Sequence, residues 1–221
     1  MYIDDIIIMT KTFEGHFKLV EKVLSALMRH GIKIKVNKCE FFQNKVTFLG
    51  DVIGTEGNEK SPEYIEKIKN FPKPANVTQL RQFFGLVNFQ RKCIQNYSII
   101  AKPLTELTGG PKKKKIEWTS EMDIAYKKLK EMLIDEVLLG FHDYSENSSE
   151  IELYVDASGT GAGACLIQLQ EGVYKTIGYA STTFTSAQRR YSTIERELVA
   201  LRWGVKAFRA FLYGIKFIIF T

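Results

Sequence analysis

The sequence predicts a mixed α+β and α/β multidomain protein, and three features of its 221 residues point there. Blocks of strand-like alternation are interspersed with blocks whose apolar residues recur at helical spacing. Gly- and Pro-rich breaks separate the blocks, and the final one has the β-β-β-α-β order of an α/β layer. The chain is longer than the commonest single domain, so more than one core is expected.

Hydrophobic residues make up 45% of the chain and charged residues 25%, which excludes wholesale disorder and predicts packed cores. No uncharged apolar run approaches the roughly 18 residues of a membrane span. The first apolar run is interrupted by Asp4 and Asp5, unlike a signal peptide, so no membrane partner is expected. Cys39, Cys93 and Cys165 are odd in number and far apart, and with His16, His30 and His142 they form no zinc spacing. Reduced thiols in an intracellular protein, cytoplasmic or nuclear, fit this pattern. The net charge of +6 permits a polyanionic partner without requiring one. Residues 1–110 carry 16 basic against 11 acidic side chains (+5), 111–150 carry 7 against 9 (−2), and 151–221 carry 8 against 5 (+3). Two basic regions flank a mildly acidic one.

Met1-Tyr2-Ile3 and Ile6 to Met9 read as a hairpin with Asp4-Asp5 at its bend. Phe17, Val20, Leu24, Leu27 and Met28 predict a helix stopped by Gly31. Ile32, Ile34 and Val36, then Val46 to Leu49, then Val52-Ile53, predict short strands. Ser61-Pro62 opens a helix as N-cap and first residue, ended by Phe71-Pro72-Lys73-Pro74. Asn76 and Gln79 have capping-box spacing ahead of a helix with Leu80, Phe83, Phe84, Val87 and Ile94 on one face, and a shorter helix spans Ile99 to Leu107.

Gly109-Gly110-Pro111 and Lys112 to Lys115 mark the clearest break. The lysine run is either a solvated linker or a neutraliser of phosphates. A helix follows over Glu121 to Ile134, then a polar loop over Asp143 to Glu150. Ile151, Leu153 and Val155 alternate with polar residues up to Asp156, strands are expected over 161–169 and 173–180, a long helix over Thr193 to Tyr213, and a last strand over Phe217 to Thr221.

Two constellations can carry chemistry. Adjacent carboxylates at a bend, Asp4 and Asp5, repel each other unless a cation sits there, and a divalent oxygen-seeking metal is one physical reason for them; a solvated acidic turn is the other. Asp156, at a strand end, needs further carboxylates before two metals about 3.5–4 Å apart can be held for phosphodiester hydrolysis. The following helix offers Glu195 and Glu197. Ser192 and Glu195 have capping-box spacing, which assigns Glu195 a structural role and leaves Glu197 for the site.

Tyr2-Ile3-Asp4-Asp5-Ile6-Ile7-Ile8, Asn37 to Phe41, Phe48-Leu49-Gly50, Gln79 to Leu86, Tyr97 with Ala101 to Leu104, Trp118-Thr119, Val155 to Ser158, Gly178 to Ser181 and Tyr191 to Leu198 together resemble, in order and spacing, the gypsy-type long-terminal-repeat retrotransposon Pol polyprotein. The resemblance covers essentially the whole chain. It implies the C-terminal part of a reverse-transcriptase palm at 1–57, a helical thumb at 58–110, a connector at 111–150 and an incomplete ribonuclease H-like domain at 151–221. By it, Asp4 and Asp5 are polymerase metal ligands, and Tyr2 and Phe48-Leu49-Gly50 lie at the primer strand. The helix carrying Arg81, Gly85 and Phe89, which share one face, follows the duplex groove. Asp156 and Glu197 are implied as ribonuclease H catalytic and metal-binding residues. The implied cofactor is Mg²⁺, with Mn²⁺ as the alternative, and the implied partner is an RNA·DNA hybrid or template–primer duplex.

The family's polymerase site draws a further aspartate from an upstream strand, and its ribonuclease H site draws another from directly after the strand that Ile218 to Thr221 resembles. Neither lies within these 221 residues, so the chain alone is expected to be weak or inactive. A non-catalytic nucleic-acid-binding remnant of a retroelement is the competing reading.

Overall fold

A computed structural model describes residues 5–10, 12–55, 57–111, 114–135, 139–145 and 148–221. Residues 1–4 of the expected N-terminal hairpin, Tyr2 and Asp4 included, lie outside them, and the described part from Asp5 to Thr10 forms no strand. Helix α1 (Phe13–Arg29) starts where the Thr12 hydroxyl accepts from the Gly15 N–H, and it stops before Gly31, at φ 67°. The strand expected over Ile32, Ile34 and Val36 is instead an exposed loop ending in a single 3-10 turn. A strand needs a neighbour to take its backbone hydrogen bonds, and no described strand lies beside this stretch.

Strands β1 (Lys45–Phe48), β2 (Asp51–Gly54) and β3 (Gly57–Lys60) form an antiparallel meander. The Gly-Asn-Glu-Lys composition of β3 has poor strand propensity, and pairing imposes the conformation: besides its register with β2, Asn58 exchanges both backbone hydrogen bonds with the distant Leu139.

Helices α2 (Pro62–Lys69), α3 (Val77–Phe89), α4 (Tyr97–Thr105) and α5 (Ser120–Ile134) enclose the first core, with Ile68, Leu80, Phe83, Ile94, Leu104, Leu129 and Leu133 fully buried. Ser61 and Asn76 cap α2 and α3 as their positions predict. The Gln79 side chain accepts from the Ala75 N–H, one residue before the cap, so the α3 box is not reciprocal. The expected boundary at 110/111 falls inside this core. Ile116, Trp118 and the buried face of α5 pack with the earlier helices, and Ile116 N–H donates to Ala75 O while Val77 N–H donates to Lys114 O.

The second core is an α/β layer. Strands β4 (Ile151–Ala157), β5 (Gly161–Gln170) and β6 (Val173–Thr183) run antiparallel, joined between β5 and β6 by a turn in which Glu171 (φ 53°) and Gly172 (φ 81°) both take positive φ. Helix α6 (Thr193–Ala207) then crosses to β7 (Phe217–Phe220), parallel to β4 at the sheet edge, giving the order β6-β5-β4-β7. The long helix expected up to Tyr213 breaks at Phe208, which is buried with φ −99° and ψ 17°, and a short α7 (Arg209–Leu212) follows. Here burial of an aromatic ring overrides helical continuity.

The two cores and the meander are joined. The Ser98 N–H donates to the hydroxyl of buried Ser181 (2.8 Å), and the Ser98 hydroxyl donates to Ser181 O (2.6 Å), seating the start of α4 on β6. The strap at 139–141 pairs with β3 and, through Gly140 N–H to Thr176 O (2.8 Å), with β6. The meander is fastened to the end of α3 through Asp51, 7% exposed, which accepts from Gln90, from Asn58 Nδ2 (2.9 Å) and from Lys92 Nζ (3.0 Å). Beside it, buried Lys60 donates to Met132 O and Asp135 O at the C-terminal end of α5, where a cation also meets the helix dipole.

Replacing Asp51 with Ala leaves buried Gln90 without its acceptor, and a loss of about 2–3 kcal/mol is expected. A thermal melt reads this as a fall of roughly 4–10 °C; an unchanged midpoint contradicts the role assigned to Asp51. The His142 ring lies against that of Tyr144, tilted by 55° with ring centroids 3.7 Å apart, and has a buried Nδ1 with no hydrogen-bond partner among the described residues. Burial holds its pKa below the ordinary 6.5, against the opposing pull of Asp143. The unfolded chain takes this proton first as pH falls, so the contribution is present above pH 6.5 and is lost as pH drops through the folded value. Between pH 7.5 and 5, wild type is therefore expected to lose more of its melting temperature than His142→Gln, and equal losses contradict the assignment.

Candidate active site and nucleic-acid interface

Alternation along β4 buries Ile151, Leu153 and Val155 on one face and turns Glu152, Tyr154 and Asp156 to the other. Helix α6 lies on the Val155 face, which the missing side chain at Gly204 permits: a Cβ there would stand 2.9 Å from Val155 Cγ2 and 3.6 Å from Ala164 Cβ. Glu197 shares this inward side of α6 with buried Ala200 and Gly204, at helical spacing. Because β7 follows α6 and runs parallel to β4, α6 runs back against β4. Glu197 precedes Gly204 by roughly 10 Å along the axis, toward the C-terminal end of β4; Asp156 is the next-to-last residue of that strand, on the face turned away from α6. The loop after β4 approaches the first turns of α6, since a Cβ on Gly159 would stand 3.3 Å from Arg196 Nη1.

Glu197 Oε2 is buried without a hydrogen-bond partner. Asp156 is exposed and has neither a hydrogen bond nor an ion pair among the described residues. Carboxylates are the oxygen donors that Mg²⁺ and Mn²⁺ prefer. Among the described residues no group of three or more His, Cys, Asp or Glu side chains is gathered for a metal. Glu195 has the structural job its spacing predicts: the Ser192 N–H and hydroxyl both donate to Oε2 at 2.8 Å, and these bonds hold its carboxyl below the usual range.

Asp4 and Tyr2 fall outside the described residues, and Asp5 is exposed. Phe48-Leu49-Gly50 lies at the β1–β2 turn, with Leu49 at φ 52° and Gly50 at φ 82°. A Cβ on Gly50 would stand 3.2 Å from the ring of Phe89, so the glycine admits an aromatic ring from α3. Phe89 therefore faces the β1–β2 turn while Arg81 and Gly85 line an open groove of about 550 Å³ along α3 with Phe84, Asn88, Arg91 and Tyr97. Over two helical turns, residues spaced by four drift around the axis, and Asn88, seven after Arg81, replaces Phe89 in the groove. Arg81 Nε and Nη2 donate to Thr108 O, and Nη2 also to Gly110 O. The guanidinium ties down the turn that forms the groove's far wall. Sequence reasoning missed Asn88, Arg91 and Tyr97; the i+7 spacing of Asn88 was the one available signal.

A layer of this order joined to a helical core and a β-meander is the architecture expected of a reverse-transcriptase and ribonuclease H-like region. Comparison with known proteins agrees. The model of the RNase H-like domain found in reverse transcriptase matches residues 118–219, and that of reverse transcriptase (RNA-dependent DNA polymerase) matches residues 1–53. The Pol polyprotein from the Drosophila melanogaster transposon gypsy is 32% identical over 100% of the chain, and that from transposon opus 31% over 97%; the chain covers 22% of each. The Tf2-3 polyprotein of Schizosaccharomyces pombe is 34% identical over 96% of the chain and 16% of its own length. The foamy viral protease-reverse transcriptase, solved in complex with RNA/DNA hybrid, superposes with a TM-score of 0.81 at 28% identity over 96% of this chain and 28% of that one. The same viral protein with dsDNA gives 0.80 over 43% of its chain. The chain belongs to the reverse-transcriptase and ribonuclease H-like region of long-terminal-repeat retrotransposon Pol polyproteins, and it spans about a fifth of the length of the first curated relatives.

A non-glycine residue at φ 52° carries about 1–2 kcal/mol of strain, and Leu49 is partly exposed, so little burial offsets it. Asn tolerates this conformation, and Leu49→Asn is expected to raise the melting temperature by about 2–4 °C. A lowered midpoint would show that Leu49 is held by packing instead.

Proposed function

We propose that residues 151–221 serve ribonuclease H chemistry on an RNA·DNA hybrid and that 1–110 serve RNA-directed DNA synthesis on a template–primer duplex. One observation supports the first part: Glu197 has a buried, unpartnered oxygen on the helix that packs against the strand bearing Asp156. A buried carboxylate oxygen without a donor is costly, and a cation relieves that cost. Asp156 and Glu197 would hold Mg²⁺ or Mn²⁺, which when bound supplies Lewis acidity at a phosphoryl oxygen. The protein's own contribution is positioning. The capping box fixes the start of α6, Gly204 sets its distance from β4, and Glu197 is thereby aimed before substrate arrives. The foamy viral complexes with dsDNA and RNA/DNA hybrid support a duplex as ligand, and the α3 groove offers it Gly85, Asn88 and Arg91.

For the polymerase part, Asp4 and Asp5 are the metal-ligand candidates, Tyr2 and the Phe48-Leu49-Gly50 turn the primer-side ones. Phe89 acts indirectly, by supporting Gly50. In the Pol protein that carries this chain, Asp156→Asn is expected to cut Mg²⁺-dependent cleavage of a labelled RNA·DNA hybrid on the order of 100-fold or more, leaving Mg²⁺-free hybrid affinity in place. Cleavage at the wild-type rate would refute the site. Absence of cleavage in both proteins, with tight salt-sensitive binding, would favour a binding remnant.

A further inference from the structure

Arg196 is not used by the site described above, and its surroundings are unusual for an arginine. Its Nε is buried with no hydrogen-bond partner, and no carboxylate pairs with it among the described residues, although Glu195 and Glu197 flank it in sequence. Glu195 is bound to Ser192. Among the described residues its guanidinium makes one hydrogen bond, and a long one, Nη2 to Thr193 Oγ1 at 3.4 Å. Its Nη1 lies over Gly159, where a Cβ would stand 3.3 Å away. The loop that carries Gly159 is rigid: the Ser158 hydroxyl accepts from the Thr160 and Gly161 N–H groups (3.2 and 3.0 Å), and Ser158 N–H donates to Gly161 O (2.8 Å).

A guanidinium presents five donors in a fixed fork, and leaving most of them unmatched at a partly buried position is expensive unless an anion completes the set. Arg196 directly precedes Glu197, and Gly159 lies three residues after Asp156. We propose that Arg196, cradled by Gly159, is a phosphate-binding residue that grips a backbone phosphate of the nucleic-acid strand entering the Asp156–Glu197 site. The inference rests on the proposed function, since it takes the polyanion to be that site's substrate. Guanidinium geometry matches two phosphate oxygens at once, which fixes the strand's position as well as its affinity. Gly159 has a negative or extended φ and no conformational need to be glycine, so the space it leaves is what the arginine uses.

The test is binding without catalysis. Fluorescence anisotropy with a labelled RNA·DNA hybrid, in EDTA and from 50 to 200 mM KCl, compares the Pol protein carrying this chain with its Arg196→Gln, Arg196→Lys and Gly159→Ala variants. Removing one phosphate contact lowers the salt slope by about 0.7–0.9, so Arg196→Gln is expected to show that decrease and a roughly three- to tenfold weaker affinity at 100 mM salt. Arg196→Lys keeps the slope, because it keeps the charge, and Gly159→Ala weakens binding by displacing the guanidinium. Slopes and affinities equal to wild type in both Arg196→Gln and Gly159→Ala overturn the proposal while leaving the carboxylate site intact. Failure of the wild type itself to bind hybrid overturns the proposed function together with it. Should Arg196→Gln not fold, Gly159→Ala alone decides: wild-type affinity contradicts the cradle.

Discussion

The closeness of α6 to the sheet is the constraint on which the ribonuclease H-like site depends. At Gly204 the helix meets Val155 and Ala164 with no room for even a methyl group. A larger residue would lift α6 away from β4 and take Glu197 with it. Van der Waals contact thus sets where a carboxylate sits, and the burial that strips Glu197 Oε2 of hydrogen-bonding partners is the same burial that stabilises the layer. A buried carboxylate oxygen left without a donor has a stability cost that packing alone does not explain.

The other end of the molecule follows a different logic. The β1–β2–β3 meander has little apolar surface of its own and is held by polar anchors: Asp51 to Gln90, Asn58 and Lys92, Lys60 to the end of α5, and Asn58 to Leu139. These tie the Phe48-Leu49-Gly50 turn to α3, so that a strained turn and a groove-lining helix keep a fixed relation. Ser98 and Ser181 then connect the helical core to the second sheet. A duplex lying along α3 would meet elements whose separation is set by directional hydrogen bonds rather than by a flexible linker.

What the sequence reveals is what local chemistry decides. The caps at Ser61, Asn76 and Ser192, the alternation of β4 and the distinction between Glu195 and Glu197 are legible because they depend on residues within one turn or one strand. Strand β3, the strap at Leu139 and the loop at Ile32 to Val36 are not, because each is decided by the presence or absence of a distant pairing partner. Arg81 illustrates the same limit at a site: the face it occupies on α3 follows from periodicity, but its engagement with Thr108 and Gly110 carbonyls depends on where a later turn returns. The Gly109-Gly110-Pro111 break reads as a boundary from composition and is a bend within one core, since Ile116 and Trp118 continue the packing beyond it.

The central claim, that Asp156 and Glu197 serve one cation, is most directly tested by nuclear magnetic resonance of the Pol region carrying this chain during a substoichiometric Mn²⁺ titration. Paramagnetic broadening should strike the amides of residues 156–158 and 196–198 together, at the same metal concentration and ahead of the rest of the sheet. Broadening confined to one of the two segments, or spread evenly over exposed acidic residues, would contradict a shared site.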